Sequence, residues 1–385
     1  MTARPTSNNL IWIVGAVVAA SACVCGGFVV ASSGLLLFAA PWRSVGGPSA
    51  TPTIRPASVG EWQPLPDLPR KVNVFLFDPN DPDIAYAGTG QYLEGGSGLY
   101  RSADGGATWQ LAVEGLPDEP VVALALSADS SVLYANLAID TTLYASTDGA
   151  RTWQPVGPDA ELCCNVPRVL RVAPDDSRRL YLVQTGADPN LSISADGGAT
   201  WHRVADPRDE LQPLTLAIDP ADPAVLYLGT RTHGVYRSTD RGETWKPANS
   251  GLVDEAVSAL VVSPTTPGQL YAGSERGHIY TSDTGGEAWV DLSAALALEP
   301  WERGAVLNLT LDASAPRSVI ATLALAGLLQ SPDSGATWER VAAPAARRDF
   351  PFPQAAVSAR APNGRILLNL YYPDGEESGA WLCVP

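Results

Sequence analysis

The carboxylates that recur at a fixed spacing are the first candidates for chemistry. Asp104, Asp148, Asp196, Asp240 and Asp333 each stand third in an eight-residue stretch running from Ser to Trp. It reads SADGGATW at 102–109 and returns in variant form at 146–153, 194–201, 238–245, 282–289 and 331–338. Paired carboxylates serve general acid–base work and glycoside cleavage, but such a pair is needed once, not at a regular interval along the chain. The Asp-Gly core of each copy has the chemistry of a tight turn instead. Glycine tolerates positive φ, and the aspartate accepts bonds from nearby backbone N–H groups. The closing tryptophans, Trp109, Trp153, Trp201, Trp245, Trp289 and Trp338, each offer a large ring for burial between sheets. These aspartates and tryptophans are therefore expected to be structural. A turn tolerates departures: Ala150 replaces the fifth-position Gly, Thr284 stands where Asp belongs with Asp283 one residue early, and Ala288 replaces Thr.

Outside the boxes the sequence singles out no catalytic residue, metal site or cofactor site. His202, His233 and His278 are isolated, and no Cys/His group has zinc spacing. Five cysteines in 385 residues make no disulfide framework, and adjacent Cys163 and Cys164 read as reduced, buried thiols, with a strained vicinal disulfide as the alternative. A net charge of −16 and just two lysines, Lys71 and Lys246, exclude the basic stripe that nucleic-acid binding needs.

Placing the boxes requires a scaffold with their period. The tryptophans recur at steps of 44 to 49 residues, a spacing that suits a propeller blade of four short strands. Residues 213–245 show the template most clearly: a strand at 214–218, a turn, a strand at 225–229, a loop, a strand at 235–238, the Asp-Gly hairpin, and a strand from Trp245. The expected fold is all-β, a single seven-bladed propeller of four-stranded antiparallel blades over 61–385. Six blades is the alternative if the last unit is irregular. Trp62 opens a post-box strand with no box before it, while 355–385 supplies three strands with no box after them. Pairing the two ends closes the ring and removes exposed sheet edges.

Ahead of the propeller, residues 1–9 form a short tail. Residues 10–42 carry no charged side chain, a length that suits a membrane-spanning helix more than a signal-peptide core. Lipidation at Cys23, or cleavage after 38–40, are the processed alternatives. Residues 43–60, rich in Pro, Ser, Thr and Gly, read as a spacer. The expected arrangement is a single-pass N-terminal anchor with the propeller outside the cytoplasm.

The box resembles the Asp-box (BNR) repeat, shared by sialidases, xyloglucan-hydrolysing propellers, sortilin-type receptors and the photosystem II stability/assembly factors. The resemblance covers the chain from about residue 61 to its end and implies a propeller. Function on such rings resides in grafted sites. A sialidase-like site implies an arginine ahead of the first box in a Phe-Arg-Ile-Pro motif; Ile54-Arg55-Pro56 lacks the Phe and lies in the spacer. Xyloglucanase-like enzymes usually join two propellers, and one is present here. In architecture the chain is closest to the assembly factors, which implies a scaffold that holds a protein partner; a glycoside hydrolase acting on a glycan is the alternative. Binding residues are expected on the face opposite the boxes, in loops 91–94, 206–210, 231–233, 275–278, 299–303 and 347–352. The binding candidates are Arg231, His233, Glu275, Arg276, His278, Trp301 and Arg303, with Trp301 marked as an aromatic in a charged loop.

Overall fold

The computed structural model describes residues 61–90, 98–138, 142–157, 165–186, 188–204, 212–312, 315–341, 355–371 and 379–384. They form seven four-stranded sheets, in each of which hydrogen-bonded neighbours run antiparallel. Blade I comprises Val72–Phe77, Ala85–Thr89, Leu99–Ser102 and Gln110–Leu111. Blades II to VI repeat that order, with innermost strands Val121–Leu126, Asn165–Ala173, Pro213–Ile218, Val257–Val262 and Val306–Asp312. The sheet of blade VII takes Ala355–Arg360, Ile366–Tyr371 and Gly379–Val384 from the end of the chain and Glu61–Pro64 as its outer strand. Six copies of the box connect third to fourth strands in blades I to VI, so box turns and first hairpin turns share one face. Loops from second to third strand, and the linkers between blades, share the other.

Burial follows distance from the axis. Second strands such as Leu226–Thr230 and Leu270–Ser274 are buried at every position, which is why they read as unbroken apolar or small residues rather than alternating ones. The fourth strands of blades I to VI shrink to two or three residues, exposed in Gln110–Leu111 and Lys246–Pro247, and edges this short give another chain little to pair with.

Each box is closed by the same bonds. Ser238 Oγ donates to Asp240 Oδ1 (2.7 Å) and accepts from Gly242 N (2.9 Å). Asp240 in turn receives the backbone N–H of Thr244 (2.9 Å) and its hydroxyl (2.5 Å). The boxes of Asp104, Asp148, Asp196 and Asp333 repeat these contacts. In the fifth box the Thr284 hydroxyl takes over the acceptor role, receiving Ala288 N at 3.0 Å; a hydroxyl suffices because the carboxylate's charge is not used. The fourth and fifth positions both hold positive φ, which Arg241 (64°), Ser334 (64°) and Ala150 (68°) adopt without being glycine.

The tryptophans join each blade to the one before it. Trp153 packs with Tyr86 and Leu99 of blade I, Trp289 with Tyr227 and Val235 of blade IV, and Trp109 with Leu367 and Leu382 of blade VII. The indole N–H of Trp153 donates to Ala112 O (3.0 Å) and that of Trp289 to Ala248 O (2.8 Å), both across the blade boundary. The box thus fastens its own turn and also secures the neighbour. At the joint of blades VI and VII, Trp62 fills this place, packed with Ile320 and Leu328 on one side and Ile366 on the other.

A second, tyrosine-based latch runs the opposite way. Tyr181 OH donates to the box carbonyl of Arg241 in the next blade (3.3 Å), Tyr227 OH to Gly285 O (3.2 Å) and Tyr271 OH to Ser334 O (3.4 Å). Tyr134 reaches Ser177 O in the first hairpin turn of blade III (3.0 Å). Blade VI precedes a blade without a box and has Ile320 at this register. Blade VII reaches blade I through Arg365, 2.9 Å from Asp83.

Two predictions follow from these joints. Gly115 and Gly251 occupy matching linkers at φ +92° and +94°, where an added Cβ would lie 2.3 Å from Trp153 O and 2.2 Å from Trp289 O. Gly251→Ala should cost about 2–4 kcal/mol, from left-handed strain plus the clash, in urea unfolding. The acid response comes from the boxes. The hydroxyl of Thr200 or Thr244, followed by its backbone N–H, holds Asp196 and Asp240 at about 2, below an ordinary 3.8. Because the folded value is the lower one, this stabilisation is complete above pH 4 or so and is lost as pH falls towards about 2. Thermal melts should drop across that window, and Asp196→Asn with Asp240→Asn should flatten the drop.

Candidate functional site

On the face away from the boxes, the side chains singled out by sequence gather at blades IV to VI. The loop at 231–233 leaves the second strand of blade IV, and the loop at 275–278 its counterpart in blade V. Both are pinned by backbone bonds to the linkers beneath: Arg231 N donates to Gln212 O (2.9 Å), Gly234 N to Glu255 O (2.8 Å) and Glu275 N to Ala256 O (2.8 Å). Thr230 and Ser274 tighten the turns by accepting the N–H of His233 and His278, both at 3.0 Å.

Charges pair across and beneath these loops. Arg231 lies 3.5 Å from Glu275 of the next blade. Arg276, 79% exposed, lies 3.9 Å from Asp254, which is 5% exposed. His278 stands 3.0 Å from Asp291 and 3.2 Å from the Ser293 hydroxyl, and its ring stacks on Tyr280 at 5.8 Å. Burial works to raise the Asp291 carboxyl, yet hydrogen bonds from Ser293 and His278 outweigh it and hold the group low. His233 meets Thr232 Oγ1 at 2.8 Å.

Arg231 and Arg276 are thus matched with carboxylates, and His278 faces Asp291 and Ser293 of the linker. Arg303 sits at the end of the short helix Pro300–Arg303. Its guanidinium donates to Leu298 O (3.0 and 3.2 Å), and its Cβ abuts Gly277, so it secures the linker to the loop of blade V. Trp301 lies in the same helix, its side chain outside the described residues. Also outside them are loops 91–94, 206–210 and 347–352, Cys163 and Cys164, and the N-terminal segments at 1–60.

Sequence reasoning passed over three residues here. Val253 is 75% exposed and Leu325 is 38% exposed, the latter in the blade VI loop that contacts Gly304. Asp254 is buried, accepts Ala256 N at 3.2 Å through Oδ1, and leaves Oδ2 without a hydrogen-bond partner. The signal was present in the linkers. Glu114-Gly115-Leu116-Pro117-Asp118 and Ser250-Gly251-Leu252-Val253-Asp254 match three blades apart.

Fold and box geometry together define a seven-bladed Asp-box β-propeller. The BNR/Asp-box repeat matches residues 236–247 as a family. Among solved structures, the chain is similar to YCF48 bound to D1 peptide, with TM-score 0.61 and 18% identity, covering 86% of this chain and 97% of that one. It is similar to YCF48 from Cyanidioschyzon merolae, with TM-score 0.57 and 14% identity, covering 84% and 98%. The GH74 xyloglucanase from Xanthomonas campestris gives TM-score 0.60 and 19% identity, covering 84% of this chain but 55% of that one. At these identities the likeness is one of fold. A probable oligoxyloglucan-reducing end-specific xyloglucanase of Neosartorya fischeri is 32% identical over 129 residues, which are 30% of this chain and 16% of that protein.

The site separates surface charges from buried ones, and stability should register the difference. Arg231→Ala removes one partner of an exposed pair and should change the unfolding free energy by no more than about 0.5 kcal/mol. Asp254→Ala removes a buried acceptor and should cost about 1–3 kcal/mol in the same denaturant titration.

Proposed function

We propose that the chain is a protein-binding scaffold of the assembly-factor kind, which holds a partner on the box-distal face at blades IV to VI. The observation that carries this reading is Val253, an exposed aliphatic side chain set beside the Arg276–Asp254 and Arg231–Glu275 pairs on loops fixed by backbone bonds. An apolar contact ringed by charges on a rigid support is the composition of a protein contact surface. Extent supports the same reading, since the chain spans nearly the whole of the YCF48 structures and about half of the xyloglucanase. The reading includes ring closure by Glu61–Pro64, supported by its pairing with Gly379–Val384. It also includes an anchor at 10–42 that places the propeller outside the cytoplasm, supported by the uncharged run there. Capture from solubilised membranes by the full chain should return a discrete partner that is lost with Val253→Asp plus Arg276→Glu; recovery of the bait alone counts against it. Protease added to intact cells should cut the propeller from the membrane fraction.

The second reading, a glycoside hydrolase, is favoured by the 129 residues shared with the xyloglucanase. Turnover of xyloglucan oligosaccharide, β-glucan or sialoside, abolished by changing one loop carboxylate, would establish it. On this face Asp254 and Glu275 pair with arginines and Asp291 with His278, and Asp291, held low by hydrogen bonds from Ser293 and His278, is a poor proton donor for such hydrolysis.

A further inference from the structure

We propose that the central channel of the propeller is a binding site for a small oxyanion, such as phosphate, sulfate or a short carboxylate, held by Arg171. The channel has a volume of about 700 Å³ and is lined by the innermost strands of all seven blades. Among the described residues its lining includes two arginines, Arg171 and Arg360, and no Asp or Glu. In a chain with 41 acidic and 25 basic residues, an interior surface of the opposite sign is a selective feature.

Arg171 is the centre of this feature. It lies on the innermost strand of blade III and lines the channel, where its surface is exposed. One guanidinium nitrogen donates to the carbonyl of its own neighbour, Leu170, at 3.1 Å. No carboxylate forms an ion pair with it among the described residues. Enclosure by the ring lowers the affinity of the guanidinium for its proton, with no opposing charge to offset the effect.

The surroundings leave room for a ligand. At the register height of Arg171 the other blades place Leu76, Ala125, Ala217, Val261, Thr310 and Ala359, of which Leu76, Ala125, Thr310 and Ala359 line the channel. Ala125 and Ala359 put two methyl groups along the channel at that height, Leu76 adds a larger side chain, and Thr310 brings a hydroxyl. Arg360 stands one residue further along its strand, 3.5 Å from the Ser318 hydroxyl. A forked donor facing a narrow, acid-free space suits a planar or tetrahedral oxyanion that accepts two parallel N–H bonds. A monatomic anion of the same charge cannot use that fork.

The test uses the full chain, titrated with inorganic phosphate, sulfate, acetate and chloride at matched ionic strength, and read by calorimetry and by melting temperature. Phosphate and sulfate should bind with one-site stoichiometry and raise the melting temperature, acetate more weakly, and chloride should do neither. Arg171→Gln should abolish the phosphate response while melting no lower than the wild type without anion, because an unpaired enclosed charge has been removed. Should that variant fail to fold, Arg171→Lys retains the charge without the fork and should bind phosphate ~10-fold or more weakly. An equal response to chloride, or a phosphate response unchanged in the Arg171 variants, overturns the site. Tighter binding of acetate than phosphate would support the site with a planar carboxylate as its preferred ligand, since a carboxylate also accepts both bonds of the fork.

Discussion

Everything in this propeller depends on how one blade grips the next, and the grip is a tryptophan held in place by a turn. The Ser–Asp–Thr bonds of the box fix a hairpin whose two central positions lie at positive φ. That turn sets the following tryptophan against the preceding sheet. Losing a buried ring of this kind costs roughly 3–5 kcal/mol, more than the handful of hydrogen bonds that orient it contributes. The division of labour is between energy and direction: the indole supplies most of the attraction, and the polar turn decides where it goes. At four joints the hydroxyls of Tyr134, Tyr181, Tyr227 and Tyr271 add a returning bond from the neighbour, so those joints are defined from both sides.

Much of this architecture was legible in the chain because the period is long and the tryptophans are conspicuous. Four strands per unit and seven units both came from spacing and turn chemistry. Other features were not legible for identifiable reasons. Tyr181, Tyr227 and Tyr271 are ordinary strand residues by propensity, and their bonds to the next box appear only when two blades are set side by side. Thr284 looked like a lapse in the fifth box, yet the turn needs an acceptor there rather than a charge. Asp254 resembled any linker carboxylate because burial of a loop residue leaves no periodic trace. Arg171 was hidden in an apolar strand, where alternation cannot separate a side chain facing the channel from one facing the adjoining blade.

The candidate surface shows how a repetitive scaffold acquires a local character. Loops 231–233 and 275–278 rise from equivalent positions, but Arg231 of one meets Glu275 of the other, so the pair belongs to the boundary rather than to either blade. Arg303 and Gly277 tie the linker of blades V and VI to the same region. A sector built across two boundaries is rigid to the extent that the joints beneath it are, which links the tryptophan grip directly to the precision of whatever is bound above.

Trp62 carries a different consequence. It packs between blades VI and VII, although its own strand is the first of the propeller to be made. During vectorial synthesis the nascent chain must therefore carry an indole and an unpaired strand while six blades emerge, and it meets their partners only when 379–384 leaves the ribosome. Contacts between ends so distant in sequence form slowly and late. The Trp62 strand thus stays unpaired for an interval set by translation time, during which its edge is open to pairing with another chain.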